Sequence, residues 1–142
     1  MATQRSVMAV LGTRWKPRTA LLASTALGMA AGFGEEMLFR GVLQYELGAS
    51  FAAVGWTSVL FGLLHAVTPL YAVLATLASL YFGWLYLAAD NLVVPILTHG
   101  LYDVAALMYA HYTVSKLSPQ EQLEIAEWRG PGDPEEKEEK SS

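Results

Sequence analysis

GEEMLFR, at residues 34–40, places two adjacent carboxylates and an arginine in a long segment that is otherwise almost uncharged. Across residues 19–115, Arg40 is the only basic residue. A charge in an apolar segment is energetically costly, so it usually faces the interior of a helix bundle, has a partner and marks a site. Glu36 and Arg40 are four residues apart and share one helical face, whereas Glu35 points about 100° away. We therefore predict that Arg40 neutralises Glu36 and leaves Glu35 free for another role.

The distribution of charge indicates an integral, multi-pass membrane protein. Hydrophobic residues make up 54% of the 142 residues and charged residues 15%, whereas soluble domains carry about 25% charged residues. An apolar middle is flanked by polar ends, so we expect the lipid bilayer to be a partner. The net charge of −4 comes mostly from the C-terminal tail, and we expect no nucleic-acid partner. The absence of cysteine excludes disulfides, thiolate nucleophiles and Cys-ligated zinc.

The apolar middle divides into about four predicted membrane helices, and the fold class is therefore an all-α polytopic transmembrane bundle. The four helices cover residues 19–46, 51–65, 70–89 and 92–114. The third has no charge along its whole length, and about 20 apolar residues are what a membrane span needs. In the first helix, the small residues Gly28, Ala30 and Gly32 suit close helix packing in lipid.

The polar ends flank this core on both sides. Residues 1–18 are basic and contain no acidic residue; we interpret them as an N-terminal flank on the cytoplasmic side, where Lys and Arg cluster. The transmembrane core covers residues 19–115, which places both termini on the same side. A capping box at residues 118–121 predicts a short amphipathic helix within residues 116–130. Residues 131–142 are acidic and contain Pro and Gly, so we predict a disordered tail.

Four polar side chains in three of the predicted helices are expected to meet. They are Glu35, His65, His99 and Asp103. Counted at about 1.5 Å per residue from the turns, they fall within roughly 10 Å of one another in depth. That depth lies near the middle of a hydrocarbon core about 30 Å thick. Phe61 lies one helical turn before His65 and most simply provides packing.

Two kinds of chemistry are open to this set. Glu35 and His65 could hold and deprotonate a water, because a positioned carboxylate and imidazole suit general-base catalysis. His99 and Asp103 could then polarise a carbonyl and stabilise the oxyanion that forms. Alternatively, Glu35, His65 and His99 could hold Zn²⁺ with an open position for water.

The three motifs, in this order, resemble those of the CPBP family of intramembrane proteases. This family includes the type II CAAX prenyl endopeptidases, bacteriocin-processing proteins and Abi proteins. Its pattern is E-E-x-x-x-R, then F-x-x-x-H, then His followed four residues later by Asn or Asp. In this chain the pattern is Glu35-Glu36 with Arg40, Phe61 with His65, and His99 with Asp103. The resemblance extends over about residues 30–105.

The resemblance implies an intramembrane endopeptidase that acts on a membrane-associated or prenylated, CAAX-type protein. It implies that Glu35 and His65 activate water, and that His99 and Asp103 stabilise the oxyanion or contribute to a metal site. Glu36, Arg40 and Phe61 would support these residues. Both a zinc-dependent and a metal-free, glutamate-driven mechanism agree with the pattern. Members usually have more than four membrane helices, so we expect a minimal member, a fragment or a homo-oligomer.

Two other functions remain open from the residues alone. One is a non-catalytic immunity or scaffold protein of the same fold, in which Glu35→Gln would leave function intact. The other is a subunit of an ion- or proton-coupled transporter, in which the four polar side chains form a relay. A transporter subunit would produce flux without peptide cleavage.

Overall fold

The computed structural model describes residues 2–48 and 50–128, and all of their regular structure is helical. The elements are α1 (Ala2–Leu11), α2 (Pro17–Glu36), a π-helical segment (Met37–Gln44) that continues α2, α3 (Phe51–Leu64), α4 (Pro69–Ala89), α5 (Val93–Val114) and α6 (Pro119–Glu127). The predicted all-α class is therefore confirmed. The predicted tail of residues 131–142 lies outside the described residues.

Two helices in the described part of the chain are long and apolar enough to cross a membrane, so the expectation of about four is corrected. They are α4, with 21 residues, and α5, with 22. α3 has 14 residues, about 21 Å at 1.5 Å per residue, which is shorter than a hydrocarbon core of about 30 Å. α2 is poor in charge but rich in Gly, Ala, Ser and Thr, and these residues are only weakly apolar.

Local capping signals set the ends of the helices around the centre of the chain. The Ser50 side chain accepts a hydrogen bond from Ala53 N–H and begins α3. Thr68 accepts one from Tyr71 N–H and begins α4, with Pro69 in the first turn. At the end of α4, Asp90 adopts the left-handed region with a φ of 46°, which reverses the chain before α5.

The chain forms two compact units, and the first covers Thr25–Val104. In this unit glycines allow two pairs of helices to approach closely. A Cβ built on Gly32 would lie 2.7 Å from the backbone nitrogen of Gly100, so α2 and α5 are in backbone contact there. A Cβ built on Gly62 would lie 2.7 Å from the carbonyl oxygen of Ala72, which shows the same closeness between α3 and α4. Gly28 also lies against α5, as its small size predicts, whereas Ala30 is exposed.

Alanine substitutions at two glycines of α3 are expected to change stability in opposite directions. Gly62→Ala should lower the free energy of unfolding by about 1–3 kcal/mol, because the new methyl group would overlap backbone atoms of α4. Gly55 has no atom within 4 Å of a built Cβ, so Gly55→Ala should raise it by up to about 1 kcal/mol through helix propensity. Denaturant unfolding in detergent measures both changes. Equal effects of the two substitutions would contradict the close α3–α4 contact.

The second unit consists of Met1–Ser24 and Ala105–Ser142, of which the described part is residues 2–24 and 105–128. Within it, α1 packs against α6, and Val7 and Ile125 are buried. The Arg5 guanidinium donates a hydrogen bond to the Trp128 carbonyl at 2.8 Å. The basic flank of residues 1–18 therefore contains a helix that its sequence pattern did not indicate.

The predicted capping box begins α6, and it lowers the pKa of one glutamate. The Ser118 hydroxyl and backbone N–H both donate hydrogen bonds to the Glu121 carboxylate, which holds the pKa of Glu121 below its ordinary value. This contact stabilises α6 above the ordinary pKa of glutamate, and the stabilisation is lost as pH falls through the lowered pKa. Ser118→Ala should move the pKa of Glu121 back up in an NMR titration. Ser115→Ala, a serine outside the box, should leave it unchanged, and an unchanged pKa in Ser118→Ala would contradict the role of the box.

Candidate active site

Three helices of the first unit bring the predicted residues around one cavity of about 250 Å³. α2 supplies Glu35 from its last turn, and His65 follows the last residue of α3. α5 supplies His99 and Asp103, which are one helical turn apart. The polar residues that line the cavity are Glu35, His65, Tyr71, His99, Tyr102 and Asp103.

Glu35 lies between the two histidines and makes no direct hydrogen bond to either. Its Oε1 is 3.8 Å from His65 Nε2, and its Oε2 is 3.8 Å from His99 Nε2. The side chain of Glu35 is 33% exposed and that of His65 is 30% exposed, so both are accessible from the cavity. Asp103 Oδ2 lies 3.6 Å from the same His99 Nε2 atom. The atoms are therefore close enough to act on the same small group.

Glu36 points the other way and is completely buried in an ion pair. Its Oε1 accepts a hydrogen bond from Arg40 Nη1 at 3.0 Å and another from His99 Nδ1 at 2.8 Å. Arg40 Nη2 donates in turn to the carbonyl and the hydroxyl oxygen of Ser79 on α4. The predicted Glu36–Arg40 pair is confirmed. The structure adds that the pair holds His99, a contact that spans 63 residues of sequence.

The hydrogen bonds of the two histidines determine their neutral tautomers. His65 Nδ1 lies 2.8 Å from the carbonyl oxygen of Phe61, and a carbonyl only accepts, so Nδ1 carries the hydrogen. His99 Nδ1 faces the Glu36 carboxylate, which also only accepts when it is paired with Arg40. In a neutral His65, Nε2 therefore presents a lone pair to the cavity. His99 Nε2 faces the carboxylate oxygens of Glu35 and Asp103, and these attract it only when it carries a hydrogen.

Aromatic rings fix the planes of both imidazoles. Phe61 stacks on His65 with ring centroids 4.1 Å apart, and Phe82 stacks on His99 at 4.7 Å. The Arg40 guanidinium lies 5.8 Å from the centroid of each phenylalanine ring, within the range of cation–π attraction. Phe61 therefore contacts a site histidine, and Phe82 does the same from α4.

The predicted zinc ligands do not form a metal-binding arrangement. Within residues 2–48 and 50–128, no group of three or more His, Asp or Glu side chains has a geometry that could hold a metal ion. Zinc ligands lie about 2.0–2.2 Å from the ion, and the Nδ1 hydrogen bond of His99 to Glu36 leaves Nε2 as its one possible ligating atom. Glu35, His65 and His99 do not form such a group in the structure, and no step proposed for this site uses a zinc ion.

Sequence reasoning missed the residues that α4 contributes. Ser79, Phe82 and Tyr71 lie in a helix without charges, so no local pattern separates them from residues that face lipid. A buried, hydrogen-bonded role for Gln44 could have been predicted, since it is a polar residue one turn after Arg40 in an apolar helix. It is fully buried, and its Nε2 donates to the Gly83 carbonyl at 3.2 Å.

Comparison with known proteins identifies a family and a curated relative. Residues 17–105 match the family model described as type II CAAX prenyl endopeptidase Rce1-like. The chain is 34% identical over 110 residues to the uncharacterized protein YpbD of Bacillus subtilis (strain 168). That match covers 74% of this chain and 55% of YpbD, so the chain spans about half the length of this curated relative. No solved structure matches the chain significantly.

Proposed function

The chain belongs to the Rce1-like family of type II CAAX prenyl endopeptidases, and on that premise we propose that it is an intramembrane endopeptidase. The family consists of membrane proteins and implies a hydrolase. The proposed substrate is a membrane-associated protein, with prenylated CAAX-type proteins as one class. The observation that carries this proposal is the position of Glu35, with one carboxylate oxygen 3.8 Å from each of two histidine Nε2 atoms in an accessible cavity.

In the first step, Glu35 and His65 position and deprotonate a water. Glu35 Oε1 and the neutral His65 Nε2 are both acceptors, and a water that donates one hydrogen to each fits between two such atoms. Glu35 takes a proton as the water oxygen bonds to the carbonyl carbon of the scissile peptide. The electron pair of the carbonyl π bond moves onto its oxygen, which becomes an oxyanion.

In the second step, the tetrahedral intermediate collapses. The oxyanion re-forms the C=O bond, and the C–N bond breaks with its electron pair going to nitrogen. Glu35 returns its proton to that nitrogen, which leaves as an amine. One water is consumed for each peptide bond, and Glu35 ends in the ionised state in which it began.

Glu36 and Arg40 act in this scheme through His99. The buried pair accepts the Nδ1 hydrogen of His99, and the Phe82 ring covers one face of the imidazole. Together they hold Nε2 towards Glu35 and Asp103. This is a positioning role, because neither Glu36 nor Arg40 lines the cavity.

The test of this function is a search for new protein ends in membranes. Labelled N-termini of membrane proteins are compared between cells that express the wild type, Glu35→Gln or Glu46→Gln at equal levels. Glu46 is an exposed glutamate that follows the π-helical segment, and it serves as the matched control for Glu35. Products shared by the wild type and Glu46→Gln but missing from Glu35→Gln would identify the substrates. If the wild type gave no products beyond those of cells that lack the protein, the result would contradict an endopeptidase and favour the non-catalytic alternative.

A further inference from the structure

The cavity is rich in hydrogen-bond acceptors and poor in donors. Glu35 and Asp103 are acceptors as carboxylates, and the neutral tautomer of His65 presents an acceptor Nε2. The remaining lining residues include Phe61, Leu74, Ala75, Ala78 and Phe82, whose side chains have no donor. Peptide hydrolysis develops negative charge on the carbonyl oxygen, and a donor aimed at that oxygen is usually the largest electrostatic contribution to catalysis.

Arg40 cannot supply this donor. Its guanidinium is completely buried, with Nη1 bonded to Glu36 and Nη2 to Ser79. His99 can donate through Nε2 only when both of its nitrogens are protonated. Among the described residues that line the cavity, the neutral donors are therefore the hydroxyl groups of Tyr71 and Tyr102.

Of these two, Tyr71 is the better placed. It lies in the first turn of α4, and the capping bond from its own N–H to Thr68 fixes its backbone. Its side chain lines the same cavity as Glu35 and Asp103, the carboxylates at which the reaction takes place. The Tyr71 side chain is 47% exposed and that of Tyr102 is 61% exposed. Within the described part of the chain, the Tyr71 hydroxyl forms no hydrogen bond with another residue.

We propose that Tyr71 is a further catalytic residue, whose hydroxyl donates a hydrogen bond to the scissile carbonyl oxygen and to the oxyanion formed from it. This inference rests on the proposed endopeptidase function. The donor remains a phenol throughout, since it shares its hydrogen with the oxygen and does not transfer it. Tyr71 thus supplies a neutral donor among the acceptors that line the cavity.

The test is Tyr71→Phe, which removes the hydroxyl and keeps the ring. With a substrate identified from the labelled N-termini, kcat should fall by about 10²-fold, as for other oxyanion donors. KM should change little, because the hydrogen bond strengthens mainly in the transition state. Tyr81→Phe is the matched control, since Tyr81 lies on the same helix, is 50% exposed and does not line the cavity. It should retain the wild-type kcat.

A rescue variant separates a lost donor from a lost packing contact. Asp103→Asn places an amide N–H in the same cavity, so Tyr71→Phe combined with Asp103→Asn should recover at least about tenfold of the lost kcat, consistent with the worth of one donor. Full activity of Tyr71→Phe beside an inactive Glu35→Gln would overturn only the role of Tyr71. So would a similar loss in Tyr81→Phe, or no recovery in the combined variant. Absence of any cleavage by the wild type would instead overturn the proposed function, and the role of Tyr71 with it.

Discussion

Glu35→Gln is expected to lose about 10²- to 10⁴-fold in kcat, the usual contribution of a general base. Glutamine has nearly the same shape as glutamate but cannot accept the proton of the attacking water. His65 Nε2, which lies 3.8 Å from Glu35 Oε1 in the wild type, remains as an acceptor, so water can still bind. We therefore expect KM to stay close to that of the wild type and the loss to appear in kcat.

The same substitution should leave the fold intact. Glu35 is one-third exposed and has no direct hydrogen bond to a histidine, so its replacement leaves no buried group without a partner. Thermal unfolding in detergent should give equal midpoints for the wild type, Glu35→Gln and the control Glu46→Gln. Full hydrolytic activity of a folded Glu35→Gln protein would rule out Glu35 as the base.

Unlike Glu35→Gln, Glu36→Gln should destabilise the fold, with a loss of about 3–5 kcal/mol in the free energy of unfolding. Glu36 and Arg40 are both completely buried, and removal of one charge leaves the other in an apolar interior. The variant also weakens the hold on His99 Nδ1, which lies 2.8 Å from Glu36 Oε1. Unfolding of the purified protein in detergent, followed by circular dichroism against denaturant, measures the loss.

A double variant distinguishes a charge effect from a simple packing defect. Arg40→Met alone should be about as destabilising as Glu36→Gln, because it leaves the buried carboxylate with His99 as its one remaining partner. The combined variant Glu36→Gln with Arg40→Met removes both charges, so it should be more stable than either single variant. Strictly additive losses would show that the ion pair is not what stabilises this region.

The positions of the helices could largely be predicted from local sequence, whereas the number of helices able to cross a membrane could not. Thr68 and Pro69 mark the start of α4, and its uncharged length marks a span. Scarcity of charge, however, is not the same as hydropathy. α2 lacks charge along most of its length but is made of small residues, and α3 is too short, so two of the four predicted spans are not candidates. The π-helical segment also could not be predicted from the sequence pattern. Residues four apart lie on one face in an α-helix and in a π-helix alike, so this spacing does not distinguish the two.

The candidate site was only partly accessible from sequence. Depth along three helices was sufficient to expect Glu35, His65, His99 and Asp103 near one another, because helix rise is constant. The contact between Glu36 and His99 depends on how α2 and α5 approach at Gly32, which is a matter of tertiary packing. The stacking of Phe82 on His99 depends on α4 in the same way. No spacing rule within one helix reports such contacts.

The short length of α3 has a consequence for how the protein is made. With 14 residues, α3 is shorter than the roughly 20 residues that a lone membrane segment needs. Its close contact with α4 at Gly62 joins the two into a helical hairpin, and the longer helix is the one synthesised second. For the membrane protein proposed above, we therefore expect α3 to become stable in the bilayer only after α4 has been synthesised. We expect His65, at the end of α3, to reach the cavity at that same step.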